Sequence, residues 1–198
     1  GNGIATAYHA LTLSWEPGLR GVDRGAQILD GLAALAPRLT VENRVQLRWE
    51  TFAFEALETL DWAMDGPLTP SLAFNDHLSM AMRPFDMPIQ ERLWEHSPDF
   101  ETLSPDDPDL PGKRFSRLAA RTGLSIDAFM AMIRDVWSRR ADVVPTLEKV
   151  AAKARAKGVP MLSHDDTQAE TRAFYRRLGA TTSEFPMTMG PARDARDH

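Results

Sequence analysis

Short apolar runs alternate with segments of helical periodicity along most of the chain. The apolar runs, each predicted to be a strand, lie at residues 4–13, 45–49, 72–74, 159–162 and 180–183. Between them, apolar residues recur at helical spacing, as at Ile28, Leu32 and Leu35. Strands that alternate with helices are typical of βα units, whose strands are parallel. The pattern therefore predicts an α/β fold with a parallel sheet.

The polar and breaker residues between the runs indicate where helices begin and end. The predicted helices span residues 23–35, 54–64, 89–96, 114–121, 125–137, 145–157 and 169–178, and residues 193–198 begin or continue another. Prolines at 84, 88, 98, 105, 108 and 111 interrupt the pattern after the third strand. We therefore interpret the chain as one domain over residues 1–198, with a helical and loop excursion at about 80–140. No internal repeat is evident.

Composition restricts the kinds of partner and of site. The net charge of -5 argues against a nucleic-acid-binding surface, which needs clustered cations. No apolar run approaches the roughly 18 residues that a membrane span requires, so we expect no membrane partner and a cytoplasmic location. The chain has no cysteine, and any metal ion must therefore be bound by His, Asp or Glu side chains.

Residues that can bind a metal follow several of the predicted strands. Glu50, His77 and His164 each lie at the carboxyl end of a strand, and Glu184 follows the last one. Ligand sites of parallel α/β proteins are built at this edge, because the side chains converge there. Each histidine taken singly is also compatible with a structural hydrogen-bonding role, and the carboxylates with helix capping. Capping is the role that we favour for Asp166.

Two segments around the last strands resemble a known family. Residues 158–167, GVPMLSHDDT, and residues 178–188, LGATTSEFPMT, are similar to stretches of the phosphonate-metabolism branch of the amidohydrolase superfamily. This branch includes the alpha-D-ribose 1-methylphosphonate 5-triphosphate diphosphatases. Residues 13–21, LSWEPGLRG, residues 47–51, LRWET, and residues 74–78, FNDHL, resemble earlier segments of the same family in the same order.

The resemblance implies a TIM-like (β/α) barrel with a divalent metal, zinc, manganese or magnesium, at its carboxyl end. Glu50, His77 and His164 would be the metal ligands and catalytic residues. The implied substrate is a phosphorylated sugar, and a metal-bound water would attack its triphosphate so that pyrophosphate leaves. The residues that we assign to substrate binding are Arg48, Asp165 and Glu184, and Arg20 is a further cation available to the polyphosphate.

Part of the family pattern has no counterpart in this sequence. A histidine motif on the first barrel strand and an aspartate on a late strand are missing, and a full barrel needs eight strands and about 250 residues. We therefore expect a partial barrel that binds metal weakly or not at all. Inner-face residues such as Leu47, Leu72 and Leu162 would lie uncovered, which favours a homodimer or a larger self-association.

Three functions remain open from the sequence. The first is a hydrolase of phosphonate metabolism that releases pyrophosphate from a ribose phosphonate triphosphate. The second is a related amidohydrolase that acts on a cyclic amide or amine. The third is a truncated remnant without catalysis.

Overall fold

A five-stranded parallel sheet forms the centre of the fold. The computed structural model describes residues 3–84, 87–110 and 115–198. The strands follow one another in chain order across the sheet, and all neighbouring pairs are parallel. They are β1 (Thr6–Leu13), β2 (Glu42–Glu50), β3 (Pro70–Asn75), β4 (Met161–His164) and β5 (Ala180–Glu184). The predicted α/β class and all five predicted strands are confirmed.

Eight α-helices accompany the strands in the part of the chain that the structure describes. They are α1 (Val22–Leu35), α2 (Leu57–Asp65), α3 (His77–Ala81), α4 (Ser116–Thr122), α5 (Ile126–Ser138), α6 (Arg140–Ala156), α7 (Ala169–Leu178) and α8 (Met189–Asp197). Short 3-10 segments lie at Ala36–Arg38, Phe54–Ala56 and Ile89–Glu91. Within the described ranges, no helix is both long enough and apolar enough to cross a membrane.

Two helix predictions need correction. The helix expected at 89–96 is only a 3-10 turn, Ile89–Glu91, because Trp94 and the residues after it leave the helical path to pack against α7. Helix α6 begins at Arg140, five residues before Pro145, which lies inside the helix. The predicted cap of α5 is confirmed, since the Ser125 hydroxyl accepts a hydrogen bond from the Ala128 amide.

One face of the sheet is apolar and covered by helices. Leu47 and Trp49 on β2 are fully buried, and the Trp49 ring meets the Phe74 ring of β3. Phe74 in turn stacks on Tyr175 of α7, with 5.5 Å between ring centroids. Leu13 at the end of β1 fits so closely against Gly25 of α1 that a Cβ at Gly25 would clash with the leucine side chain. We call this the helix-covered face.

The opposite face of the sheet is polar. Successive side chains of a strand alternate between its faces, so Gln46 and Arg48 lie opposite Leu47 and Trp49. Of the three residues expected to lie uncovered, Leu47 and Leu72 are instead fully buried, whereas Leu162 on β4 is partly exposed. We call the surface opposite the helices the polar face, and its polar side chains include those of Gln46, Arg48, Glu50, His164 and Glu184.

Side chains of β2 and β5 meet across the two strands that separate them. Gln46 Nε2 donates to Glu184 Oε2 over 3.3 Å, and Arg48 Nη2 lies 3.5 Å from the same oxygen. In a flat sheet three strand spacings would separate β2 from β5 by about 14 Å. A glutamine and a glutamate that reach each other over this separation require the sheet to curve around its polar face.

The turns after β4 and β5 have the same local structure, although their sequences do not form a recognisable repeat. Ser163 and His164 of β4 pair in register with Ser183 and Glu184 of β5. The next residue of each unit, Asp165 or Phe185, has a φ of 55°. Each turn then leads into a helix, α7 or α8. The two strand ends are tied together, because the Asp165 amide donates to the Glu184 carbonyl over 2.9 Å.

Candidate metal centre

Two histidines and one aspartate meet at the carboxyl ends of β3 and β4. Among the described residues, His77, His164 and Asp165 form a group whose potential ligand atoms all lie within 4.8 Å of one another. Asp165 Oδ2 is 3.4 Å from His77 Nε2 and 3.2 Å from His164 Nδ1. The two imidazole rings lie edge to face with centroids 5.6 Å apart. We call these three residues the His–His–Asp cluster.

The turn after β3 delivers His77 to the cluster. β3 ends at Asn75, Asp76 caps α3, and His77 is the first residue of that helix. Asp76 Oδ1 accepts the Ser79 amide at 2.9 Å, which fixes the start of the helix. Burial raises the pKa of Asp76 to about 6, against the opposing effect of the Ser79 hydrogen bonds.

The turn after β4 delivers the other two members. His164 is the last residue of β4, and Asp165 follows it in the left-handed region of backbone conformation. A non-glycine residue in that region costs on the order of 1 kcal/mol and persists only where its surroundings fix it. The reversed backbone brings Asp165 alongside His164 on the polar face, where strict strand alternation would have sent it to the other side.

Glu50 orients His77 through two hydrogen bonds. The carboxylate is buried, and its Oε1 lies 2.5 Å from His77 Nδ1, while Oε2 accepts the His77 backbone amide at 3.3 Å. Arg20 Nη2 donates to the same Oε1 over 3.1 Å. Metal-binding histidines commonly have one ring nitrogen held by a carboxylate in this way, which leaves the other nitrogen for the metal. In His77 that other nitrogen is Nε2, which faces Asp165.

Arg48 and Glu184 flank His164. The Arg48 guanidinium, which can only donate, contacts His164 Nε2. Glu184 Oε2 lies 3.8 Å from the same nitrogen and 3.5 Å from Arg48. The other ring nitrogen of His164, Nδ1, is the one that faces Asp165 and the cluster.

Charges within the cluster shift the pKa values of its members. Burial alone would lower the pKa of His77, but the interactions with Asp165 and Glu50 outweigh it and raise the pKa to about 10. Burial alone would raise the pKa of Asp165, but the interactions with His164 and His77 hold it well below its usual value. The arrangement thus stabilises a carboxylate between two imidazoles, with His77 as its charged partner.

The structure brings together the three residues that the sequence predicted as ligands. Two carboxylates, those of Glu50 and Asp165, differ from their predicted roles. His77 and His164 lie in the cluster, and Glu50 contacts His77 without belonging to it. Asp165, nominated for substrate binding, occupies the place between the histidines. The position of Asp165 next to His164 in the sequence indicated that it lies near the site. The left-handed turn that brings it to the same face as His164 could not be predicted from the sequence. Arg20, the partner of Glu50, was considered only as a cation for polyphosphate.

The capping role favoured for Asp166 is wrong. The N-cap residue of α7 is Gln168, and no side chain makes a capping hydrogen bond there. Asp166 is instead fully buried, and its carboxylate accepts hydrogen bonds from the hydroxyls of Ser163 and Ser183. Burial raises the pKa of this carboxyl group, against the effect of the two hydroxyls.

Buried polar atoms without a hydrogen-bond partner gather around the same edge of the sheet. In the described part of the chain they include Thr51 Oγ1 after β2, Asn75 Oδ1 and Asp76 Oδ2 after β3, and Asp166 Oδ1 and Thr167 Oγ1 after β4. Buried polar groups without partners are uncommon in folded proteins, and a concentration of them is typical of sites that bind ligands or ordered water. The edge that carries the His–His–Asp cluster is therefore also the edge with unused hydrogen-bonding capacity.

Comparisons of the chain with protein-family models, with curated proteins and with solved structures found no match.

Proposed function

We propose that this chain carries the metal centre of a hydrolase related to the phosphonate-metabolism branch of the amidohydrolase superfamily. The observation that supports it best is the His–His–Asp cluster at the carboxyl ends of adjacent parallel strands. The sequence segments that resemble the family contain the same residues, because His77 lies in FNDHL, and His164 and Asp165 lie in SHDD.

The residues of the cluster suit a catalytic divalent ion. Two imidazoles and one carboxylate form a donor set found in catalytic zinc sites, which keep a further position for water. With bonds of about 2.1 Å, ligand atoms on opposite sides of an ion are about 4.2 Å apart. The cluster atoms lie within 4.8 Å of one another, so small side-chain movements suffice. Zinc, manganese and magnesium are the candidates that the family resemblance supplies.

Each residue around the cluster has a distinct task in this proposal. A bound divalent ion would supply hydroxide at neutral pH from its bound water. Glu50 orients His77 through Nδ1, and Asp165 spans the two histidines. Arg48, which is partly exposed beside His164, provides a cation for a phosphoryl oxygen of the substrate. A phosphorylated sugar is therefore the substrate class that we propose.

The sheet supports the finer architecture of a partial TIM-like barrel. Strands that follow in chain order, all parallel, with the polar face curved toward itself, are features of a barrel wall. The five strands would form part of an eight-stranded barrel, with the segment at about 80–140 as an excursion from it.

The first test of the proposal is whether the purified chain binds a divalent metal ion at the cluster. The purified chain is dialysed against chelator, then offered zinc, manganese or magnesium, and the bound metal is measured by elemental analysis. We expect weak binding, since only three potential ligand residues meet in the cluster among the described residues. His77→Asn and His164→Asn should abolish binding, whereas His9→Asn, on β1 and bonded to Asn43, should leave it unchanged. Metal bound equally well by all four proteins would contradict the proposed site.

The activity is tested with a triphosphate ester of ribose and with a hydantoin-like cyclic amide, in the presence of each metal. Pyrophosphate release that depends on His164 supports the phosphonate-type reaction. Hydrolysis of the cyclic amide instead supports the related amidohydrolase. Metal binding without either reaction favours a non-catalytic remnant.

Self-association also stays a proposal. β1 and β5 are the two end strands of the sheet, and Tyr8 on β1 and Phe185 after β5 are exposed. A second copy that pairs with an end strand would satisfy its unpaired backbone groups. Light scattering at micromolar concentration tests this, and a monomer throughout would contradict it.

A further inference from the structure

A buried hydrogen-bond network lies behind the His–His–Asp cluster, on the helix-covered face. At its centre is Asp166, which lies in the turn after β4 and is fully buried. Its Oδ2 accepts hydrogen bonds from Ser163 at the end of β4 and from Ser183 at the end of β5. These two serines are register partners in neighbouring strands, so one carboxylate oxygen bridges the two strand ends.

Arg172 of α7 is the other charged member of this network. Its Nη1 donates to the Ser163 hydroxyl over 3.2 Å, and its Nη2 donates to the carbonyl of Ala180 at the start of β5. The guanidinium is almost fully buried. A buried cation and a buried carboxylate thus meet through one serine hydroxyl, which holds the helix and both strands in one arrangement.

The turn after β4, which holds Asp166 on the helix-covered face, also places Asp165 on the polar face. The backbone of Asp166 is fixed as well, because its carbonyl accepts the Met187 amide over 2.8 Å. Asp165 therefore stands between His164, the last residue of β4, and Asp166, which is tied through both side chain and backbone. With both neighbours fixed, the left-handed conformation of Asp165 is imposed on it, and its carboxylate is directed between the histidines.

We propose that Asp166 is a positioning residue of the metal centre: its clamp on Ser163 and Ser183 sets the place of Asp165 between His77 and His164. The part of this inference that concerns metal affinity rests on the proposed function. The part that concerns geometry does not need a metal.

Three variants separate positioning from stability. Asp166→Ala removes the clamp, and Ser183→Ala removes only one of its two hydroxyl donors, which keeps the test usable if the first variant fails to fold. Ser125→Ala is the matched control, because it also removes one hydroxyl that makes a hydrogen bond, here with the Ala128 amide at the start of α5, and it contacts no member of the network. Thermal unfolding of each protein records the loss of stability that any buried-network variant is expected to show.

The first measurement uses the metal-free protein. The chain has five histidines, so their ring proton signals can be resolved and assigned by NMR. We expect Asp166→Ala and Ser183→Ala to shift the signals of His77 and His164, since Asp165 moves relative to both rings, while Ser125→Ala leaves them in place. Unchanged His77 and His164 signals in a folded Asp166→Ala or Ser183→Ala protein would overturn the proposal.

The second measurement is cobalt(II) binding, followed by its visible absorption. Loss of a residue that orients metal ligands typically lowers metal affinity roughly 10- to 100-fold. We expect this for Asp166→Ala, a smaller loss for Ser183→Ala, and an altered spectrum at saturation, which a purely structural defect would not produce. Wild-type affinity and spectrum in both variants would overturn the proposal. If the wild-type chain binds no cobalt, the proposed function fails, and the NMR result still decides the positioning role.

Discussion

The two faces of the sheet differ in what their side chains contact, although they are built from alternate residues of the same strands. On β2, Leu47 is fully buried in the apolar core beneath the helices, while its neighbours Gln46 and Arg48 reach across the polar face to Glu184. The helix-covered face contributes buried apolar area, which stabilises the fold. The polar face contributes charged and imidazole groups around one cluster. Substitutions on the two faces should therefore have separable effects on stability and on metal binding.

The largest expected effect comes from the helix-covered face. Leu47→Ala removes a fully buried side chain from the middle of β2 and leaves a cavity, so we expect a loss of about 2–5 kcal/mol in the free energy of unfolding. Gln46→Ala, one residue earlier on the polar face, should cost less than about 1 kcal/mol. Urea unfolding of both variants measures the difference, and equal losses would show that the two faces are not separable.

The second prediction concerns the cluster on the polar face. His164→Ala should lower metal affinity roughly 100-fold or more, because a site with few ligands loses a large part of its binding free energy with one of them. The free energy of unfolding of the metal-free chain should change far less than in Leu47→Ala. Isothermal titration with zinc measures the affinity.

His9→Ala is the control for this prediction. His9 lies on β1 and bonds to Asn43 through Nε2 over 2.8 Å, away from the cluster. Its removal should leave zinc affinity unchanged. A comparable loss of affinity in both variants would mean that zinc binds histidines without regard to the cluster.

The third prediction uses pH to probe the helix-covered side. His96 packs against the rings of Trp94 and Phe174, and burial lowers its pKa to about 4. The unfolded chain binds this proton near pH 6.5, so between pH 6.5 and 4 the unfolded state holds more protons than the folded one. Stability therefore falls as pH decreases through this window, by about 2–3 kcal/mol in total.

Other groups titrate in the same range with the opposite sign. The raised pKa values of Asp76 and Glu95, both caused mainly by burial, make the folded state more stable as pH falls toward them. The comparison is therefore made between the wild-type chain and His96→Gln, by urea unfolding at several pH values from 4 to 7. The difference between the two proteins should shrink as pH falls, and a constant difference would exclude His96 as its source.

The smallest effect is expected for the ion pair on the polar face. Arg48 and Glu184 lie 3.5 Å apart and are both partly exposed, so their coupling should contribute less than about 1 kcal/mol and weaken at high salt. A double-mutant cycle with Arg48→Gln and Glu184→Gln, measured at low and high salt, gives the coupling directly. A coupling of several kcal/mol would mean that this pair helps to hold the curvature of the sheet.

The strands could be predicted because their signal is local. Apolar alternation along residues 45–49 and continuous apolar runs elsewhere locate all five strands, and the cap at Ser125 and the glycine after α7 locate helix ends. The helix predicted at 89–96 failed because Trp94 and His96 gain more from packing on Phe174 than from continuing a helix. Propensity is a weak guide where tertiary contacts compete with it.

The site could be predicted only in part, for a related reason. The position of Glu50, His77 and His164 after strands was enough to bring them to one edge, since parallel strands end together. The sequence could not assign the place between the histidines to Asp165, nor a buried clamp to Asp166. Both depend on one left-handed residue and on serines of two different strands, which only pairing in register brings together.

The sequence by itself determined the class of fold, the number of strands and the set of residues available at the carboxyl edge, because periodicity and strand ends are properties of short segments. The tertiary structure decided which carboxylate joins the histidines, which one orients them and which one is buried behind them. Those assignments depend on backbone curvature, on strand register and on the desolvation of each carboxylate by its neighbours. These quantities arise only when distant segments pack together.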